Sequence, residues 1–62
     1  MRYEAERGED RVDYYGRPLR TYRVRDNETG EHEEVGEYPP YAYTIGAAEA
    51  AGRAADLNEY GY

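Results

Sequence analysis

The chain is predicted to be a small α+β domain, an antiparallel β-meander of two or three strands packed by one C-terminal helix. Three features predict it. Asn27-Glu28-Thr29-Gly30 has turn chemistry and lies between two segments that alternate apolar with charged residues. Arg11–Tyr15 offers a further short segment of that kind, and Ile45–Tyr60 carries alanines at helical spacing.

From the N-terminus, Met1–Asp10 alternates charge with little to bury, and Gly8 interrupts any helix begun at Arg2. Residues 1–10 are therefore expected as a flexible arm and residues 11–62 as the single folded domain. In Arg11–Tyr15, β-branched and aromatic residues alternate, and Gly16-Arg17-Pro18 supplies a turn into Leu19. Period two offers Val12 and Tyr14 to the core, giving β-β-β-α with this strand and β-β-α without it.

Leu19–Tyr38 is the central hairpin. Asn27 suits the first position of a type I turn, where its side chain bonds back to the backbone, and Gly30 the fourth, where positive φ forms a G1 bulge. That turn sets Arg25 opposite Glu33, Val24 opposite Glu34, Arg23 opposite Val35, Tyr22 opposite Gly36 and Arg20 opposite Tyr38. One face then holds Tyr22, Val24 and Tyr38, with His32 at its wet end. The other holds Leu19, Thr21, Arg23 and Arg25 against Glu33, Val35 and Glu37.

Pro39 and Pro40 end the hairpin because neither can donate a ladder hydrogen bond, and Tyr41–Tyr43 crosses to Thr44, a suitable helix N-cap. Along the helix, Ala47, Ala50, Ala51, Ala54, Leu57 and Asn58 share one face. Glu49, Arg53 and Asp56 lie opposite, with Glu49 and Arg53 in the favourable i to i+4 order, and Gly61 suits the stop. An alanine face lets the helix lie close to the Tyr22, Val24 and Tyr38 face, where tyrosine rings fill what alanine leaves empty.

At 62 residues the chain stands near the lower limit for folding on its own core, and with Phe and Trp absent its nine tyrosines must supply the aromatic packing. A homodimer is expected to add what so thin a core lacks. The net charge of −6 disfavours a phosphate backbone and favours a basic partner. Without cysteine there are no disulfides, thiolate nucleophiles or cysteine zinc sites. No apolar run is long enough to span a membrane, and the first residues lack the pattern of a signal peptide, so a cytoplasmic protein with no membrane association is expected.

Catalytic chemistry finds little support. Serine and cysteine nucleophiles are absent, and Glu33 and Glu34, adjacent on a strand, point to opposite faces. The glycines follow no phosphate-loop pattern. His32, placed opposite Asp26 and two residues from Glu34, has the donors of a metal site, but wet strand ends in acidic chains carry such trios routinely. The expectation is a non-enzymatic protein with no catalytic, cofactor or metal site. Asn27-Glu28-Thr29 matches a glycosylation acceptor but reads as turn chemistry, and Tyr38-Pro39-Pro40-Tyr41 as a rigid connection rather than a polyproline ligand.

Three antiparallel strands followed by an alanine-rich helix, with TYRVRDNETG at the hairpin and AAEAAGRAADLN on the helix, resemble the arm-type DNA-binding domains of phage integrases. The resemblance covers roughly Arg11–Asn58 and implies a sheet laid into the major groove. This chain departs from that pattern in the second long strand, where Glu31, Glu33, Glu34 and Glu37 would pair with the arginines and repel phosphate. Nucleic-acid binding, by the sheet or by acidic mimicry of DNA, is thus the alternative reading.

Nine tyrosines exceed what this core can enclose, so several among Tyr3, Tyr15, Tyr41, Tyr43, Tyr60 and Tyr62 are expected outside. Exposed tyrosine adds contact area at little entropic cost, and surrounding carboxylates steer a basic partner. The expected partner-binding residues are Tyr15, Tyr41, Tyr43, Tyr60, Tyr62, Glu33 and Glu37. Small size, an acidic aromatic exterior and basic residues that are all arginine resemble the small accessory proteins of phages infecting GC-rich bacteria, which implies a modulator of a host protein.

Overall fold

The structure, a computed structural model, describes residues 1–61. The element order is β1 (Tyr3–Val12), β2 (Pro18–Asp26), β3 (His32–Tyr38), a 3-10 turn over Pro40–Ala42, and α1 (Tyr43–Tyr60). The strands form one antiparallel sheet in the order β1-β2-β3, and α1 lies across one of its faces. The small α+β meander with a C-terminal helix is therefore what this sequence forms.

The first strand is not where period two placed it. Residues 3–12 pair with β2, so the segment expected as an unpaired arm is an edge strand, and the strand ends before Tyr14. Its alternating charges are cross-strand partners. Arg23 donates to Glu6 through Nε at 3.2 Å and Nη2 at 2.9 Å, while Arg25 approaches Glu6 at 3.3 Å and Glu4 at 3.6 Å. A strand with this composition forms because β2 supplies arginines opposite its glutamates.

Both hairpins contain a one-residue slip. In the first, Gly8 and Glu9 together oppose Thr21, between the pairs Arg7 with Tyr22 and Asp10 with Arg20. A Cβ on Gly8 would lie 2.4 Å from the Thr21 hydroxyl oxygen, so glycine is required there. That hydroxyl, buried on the face away from the helix, donates to the Glu9 carbonyl at 2.7 Å, which satisfies a backbone acceptor at the bulge.

In the second hairpin, Arg20 faces Tyr38 and Tyr22 faces Gly36 as expected, but Arg23 faces Glu34, Val24 faces Glu33 and Arg25 faces His32. The loop is one residue longer than a type I turn with a G1 bulge, since Gly30 N–H donates to Asp26 C=O at 2.8 Å and Asp26 N–H to Glu31 C=O at 2.8 Å. Asp26 takes the role expected of Asn27, its Oδ1 accepting from Glu28 N–H at 2.9 Å. The extra loop residue shifts the register, and a bulge at Val35 restores it before Tyr38. The tight turn with three loop residues occurs in the first hairpin instead, at Asp13–Arg17.

The covered face is built from Tyr22 and Val24 packed against Ala50 and Ala54, which are the buried apolar side chains among the described residues. Tyr38 meets Tyr22 edge to face, with ring centroids 5.9 Å apart. Gly46, rather than Ala47, is the residue on which these rings rest: a Cβ there would lie 2.5 Å from Tyr38 Cδ2 and 2.8 Å from Tyr22 Cδ2. The helix is thereby rolled so that Ala47 and Ala51 face solvent while Gly46, Ala50 and Ala54 face the sheet.

It also starts earlier than expected. The 3-10 turn feeds straight into it, with Ala42 N–H donating to Pro39 C=O at 2.8 Å and Tyr43 N–H to Pro40 C=O, so Thr44 lies inside the first turn and not at the cap. Pro40 belongs to that turn, in keeping with a rigid connection. Gly61 does follow the helix, but with φ −73° it is extended and not left-handed.

Candidate partner-binding surfaces

In an elongated molecule of 40 × 20 × 13 Å, the structure places Tyr15, Tyr41 and Tyr43 toward one end, Glu33 and Tyr60 toward the other, and Glu37 on the open sheet face. One end is the tip of the first hairpin together with the β3–α1 connection. The other is the second hairpin's loop together with the helix C-terminus.

At the tip, Asp13 organises the turn. Its Oδ1 accepts from Tyr15 N–H and Arg17 N–H, both at 2.8 Å, its Oδ2 accepts from Arg17 Nε at 3.0 Å, and Gly16 closes the turn with φ 79°. These bonds, led by that from the Arg17 backbone, hold the Asp13 carboxyl below its ordinary range. Tyr14 and Tyr15 are thereby forced outward, 96% and 76% exposed, with ring centroids 5.4 Å apart and nearly perpendicular. The Arg17 guanidinium lies 4.9 Å from the Tyr15 centroid. Val12 is exposed as well, so the expectation of Val12 and Tyr14 in the core fails: the turn at Asp13 ends the strand's alternation before Tyr14.

Beside this turn runs an apolar groove of about 510 Å³, floored by Pro18, Leu19, Pro39 and Pro40 and flanked by Tyr41, which is 90% exposed. Asp13 and Arg17 close its polar side, and they pair with each other. Tyr43, expected outside, is half-buried, because the Arg20 guanidinium stacks 3.9 Å from its ring centroid.

At the opposite end, a second groove of about 460 Å³ has an apolar floor of Tyr3, Val24 and Leu57 and a rim of Asp26, Glu31, His32 and Glu33. Tyr3 is half-buried here rather than exposed, because Asn58 clamps its backbone: Tyr3 N–H donates to Asn58 Oδ1 and Asn58 Nδ2 donates to Tyr3 C=O, both at 2.9 Å. Arg2 bonds Asp26 at 3.0 and 3.1 Å, and this bond is the main reason the Asp26 carboxyl titrates lower than usual. Glu33 meets Arg53 at 3.2 Å, which takes Arg53 away from the expected pairing with Glu49. Tyr60 is exposed at the last turn of α1, and Tyr62 lies outside the described residues.

The third surface is the sheet face that the helix leaves open. Arg11 reaches across it to Glu9 at 2.8 Å, Glu34 at 2.7 Å and Glu37 at 3.1 Å, while Arg23 and Arg25 meet Glu6 and Glu4. Glu37 is thus part of a charge lattice and not a free steering group. His32 faces Arg25 and not Asp26, because of the longer loop, and among the described residues no three His, Asp or Glu side chains come together as metal ligands.

Sequence reasoning missed Tyr14 and the acidic-end groove. For Tyr14 the signal was present: Asp13-Tyr14-Tyr15-Gly16 has the same Asp/Asn-x-x-Gly pattern that predicts a turn at Asn27–Gly30. No family model, curated protein or solved structure matches this chain. Among the described residues no helix is long and apolar enough to cross a membrane.

Proposed function

We propose that this protein is a non-enzymatic interaction module that binds a basic segment of a protein partner at the groove between β3 and the helix C-terminus. One observation carries the reading: an apolar floor of Tyr3, Val24 and Leu57 rimmed by Asp26, Glu31 and Glu33, where Arg2 and Arg53 meet Asp26 and Glu33 and leave Glu31 in no ion pair among the described residues. That combination suits an arginine or lysine side chain, whose aliphatic stem covers apolar surface while its charged head meets carboxylates. The chain's net charge of −6 adds long-range steering toward such a partner. The compositional likeness to phage accessory proteins points to a host protein as that partner.

Catalysis has no comparable support, since the chain holds no serine or cysteine to serve as a nucleophile beside a base. The DNA-binding alternative would use the open sheet face, but Arg11, Arg23 and Arg25 already meet carboxylates there. Laying that face on phosphate would bring the same glutamates against it.

The test is a titration with a short arginine-rich peptide followed by backbone NMR. Shifts should map to Tyr3, Glu31, Glu33 and Leu57, weaken as salt rises, and disappear in a Glu31→Lys, Glu33→Lys double variant. Shifts confined to Asp13–Arg17, or binding that the double variant leaves unchanged, would remove the proposal. A low-salt mobility shift with duplex DNA should show no complex.

A further inference from the structure

We propose that the tyrosine tip is a self-association surface, where a second copy of this chain docks in a two-fold dimer, separately from the basic partner at the other end. The first argument is electrostatic. Two copies that each carry −6 repel one another, so a dimer contact is favoured where charge is locally balanced. The tip is such a place: around its groove the charged side chains are Asp13 and Arg17, which neutralise each other at 3.0 Å. The acidic end keeps an excess of negative charge, because Asp26, Glu28, Glu31 and Glu33 gather there and are met by two arginines, Arg2 and Arg53.

The second argument is area. Tyr14, Tyr15 and Tyr41, at 96%, 76% and 90% exposure, leave on the order of 500 Å² of residue surface in water, backbone included. A stable interface needs about 800 Å² from each partner, and the adjoining Val12, Pro18 and Pro40 supply apolar surface for much of the remainder. Meanwhile the fully buried apolar side chains among the described residues are Tyr22, Val24, Ala50 and Ala54, against seven large apolar residues left exposed. Burying the tip in a second copy corrects that imbalance.

The third argument is preorganisation. Five hydrogen bonds among Asp13, Tyr15, Gly16 and Arg17 fix the backbone of the turn, and the Tyr15 ring rests between the Arg17 guanidinium and the Tyr14 ring, so less freedom is lost on docking than in an open loop. A two-fold operation then places the tyrosine pair of one copy against the proline groove of the other, and the reverse, as an isologous contact requires.

Sedimentation velocity and equilibrium on the full chain, at several salt concentrations, test this. The wild-type chain should be dimeric at tens of micromolar, and its dimer should hold or tighten as salt screens the repulsion, whereas arginine-peptide binding at the other end weakens. A Tyr14→Ser, Tyr15→Ser double variant should raise the dimer dissociation constant by at least about tenfold with an unchanged circular dichroism spectrum, and Tyr41→Ser should act in the same direction. Glu31→Lys should leave the dimer intact, so the two surfaces can fail independently. A wild-type chain that stays monomeric up to about a millimolar, a dimer indifferent to the tip variants, or one that dissociates as salt rises would overturn the proposal.

Discussion

At one end of the sheet the chain turns through Asp13–Arg17 and at the other through Asp26–Glu31, and the two turns share their chemistry. In each, an aspartate side chain accepts backbone N–H groups and a glycine at φ 79° closes the loop. They differ in what the loop carries and in how the end is tied down. The first loop presents two tyrosines beside prolines, with its charges cancelled. The second presents Asn27, Glu28 and Thr29 and stands over an acidic rim. The same aspartate-and-glycine chemistry, in loops of three and four residues, can thus display two surfaces, and the residues between the aspartate and the glycine decide which surface the end becomes.

Gly46 should bring the largest effect, because it serves the tip half of the fold. Gly46→Ala places a Cβ 2.5 Å from the Tyr38 ring, which is itself packed on Tyr22, so neither ring can move away freely. We expect a loss of about 1–3 kcal/mol, read as a lowered denaturation midpoint at unchanged m-value. If Gly46→Ala is neutral, the helix does not rest on these rings.

At the acidic end the corresponding tie is Asn58, whose amide group satisfies both backbone groups of Tyr3. Asn58→Ala leaves an edge-strand N–H and C=O without these partners and should cost roughly 1–2 kcal/mol, most of it local. The check is amide exchange: Tyr3 should lose protection while Tyr22 at the centre of β2 keeps its own. Loss of protection at the tip as well would mean that the two ends are one cooperative unit.

These ties also explain how much the sequence disclosed. Tyr22 and Val24 on a common face, under a helix of small residues, follow from period two and from alanine spacing, and both periodicities survive a register error of one residue in the loop. Strand β1 was hidden because its outward residues are charged and its bulge holds a glycine, so neither hydrophobic alternation nor propensity marks it. Glu6 has a structural reason only once Arg23 and Arg25 are opposite, and that is tertiary information. The groove at the acidic end was hidden for the same reason, since Tyr3 reached it only as part of that strand. The helix rotation depended on Gly46, which looks like a weak helix residue in sequence but is a packing surface in the fold.

Gly52 sharpens that contrast on the same helix. A Cβ there meets nothing within 4 Å, so no packing asks for glycine at that position. Gly52→Ala should raise stability by about 0.5–1 kcal/mol through the entropy of the unfolded chain. The opposite signs expected at Gly46 and Gly52 can be read side by side in one thermal-melt experiment.

The smallest expected effects are those of pH, and the two ends should respond on opposite limbs. Near the tip half, Tyr38 donates its hydroxyl to Glu49, and that bond, with burial and the charge of Glu49 adding to it, pushes the phenol up from 10.0 to about 12. A group raised on folding contributes stability that is full below its unfolded value and lost as pH rises through the folded one, so the contribution persists to about pH 10 and fades toward about pH 12. At the acidic end, Asp26 is held below its ordinary 3.8 by Arg2, so its contribution is present above that value and lost as pH falls below it. Both pairs are partly solvated, which keeps each effect modest. Melting wild type against Tyr38→Phe and Asp26→Asn should therefore give two differences that are flat through neutral pH. The first should close on the alkaline side and the second on the acid side, because the phenyl ring and the carboxamide that these substitutions introduce have no proton to exchange there. If the first difference stayed open on the alkaline side or the second on the acid side, the hydroxyl and the carboxylate would not be the groups that tie the helix and the N-terminal strand to their respective ends.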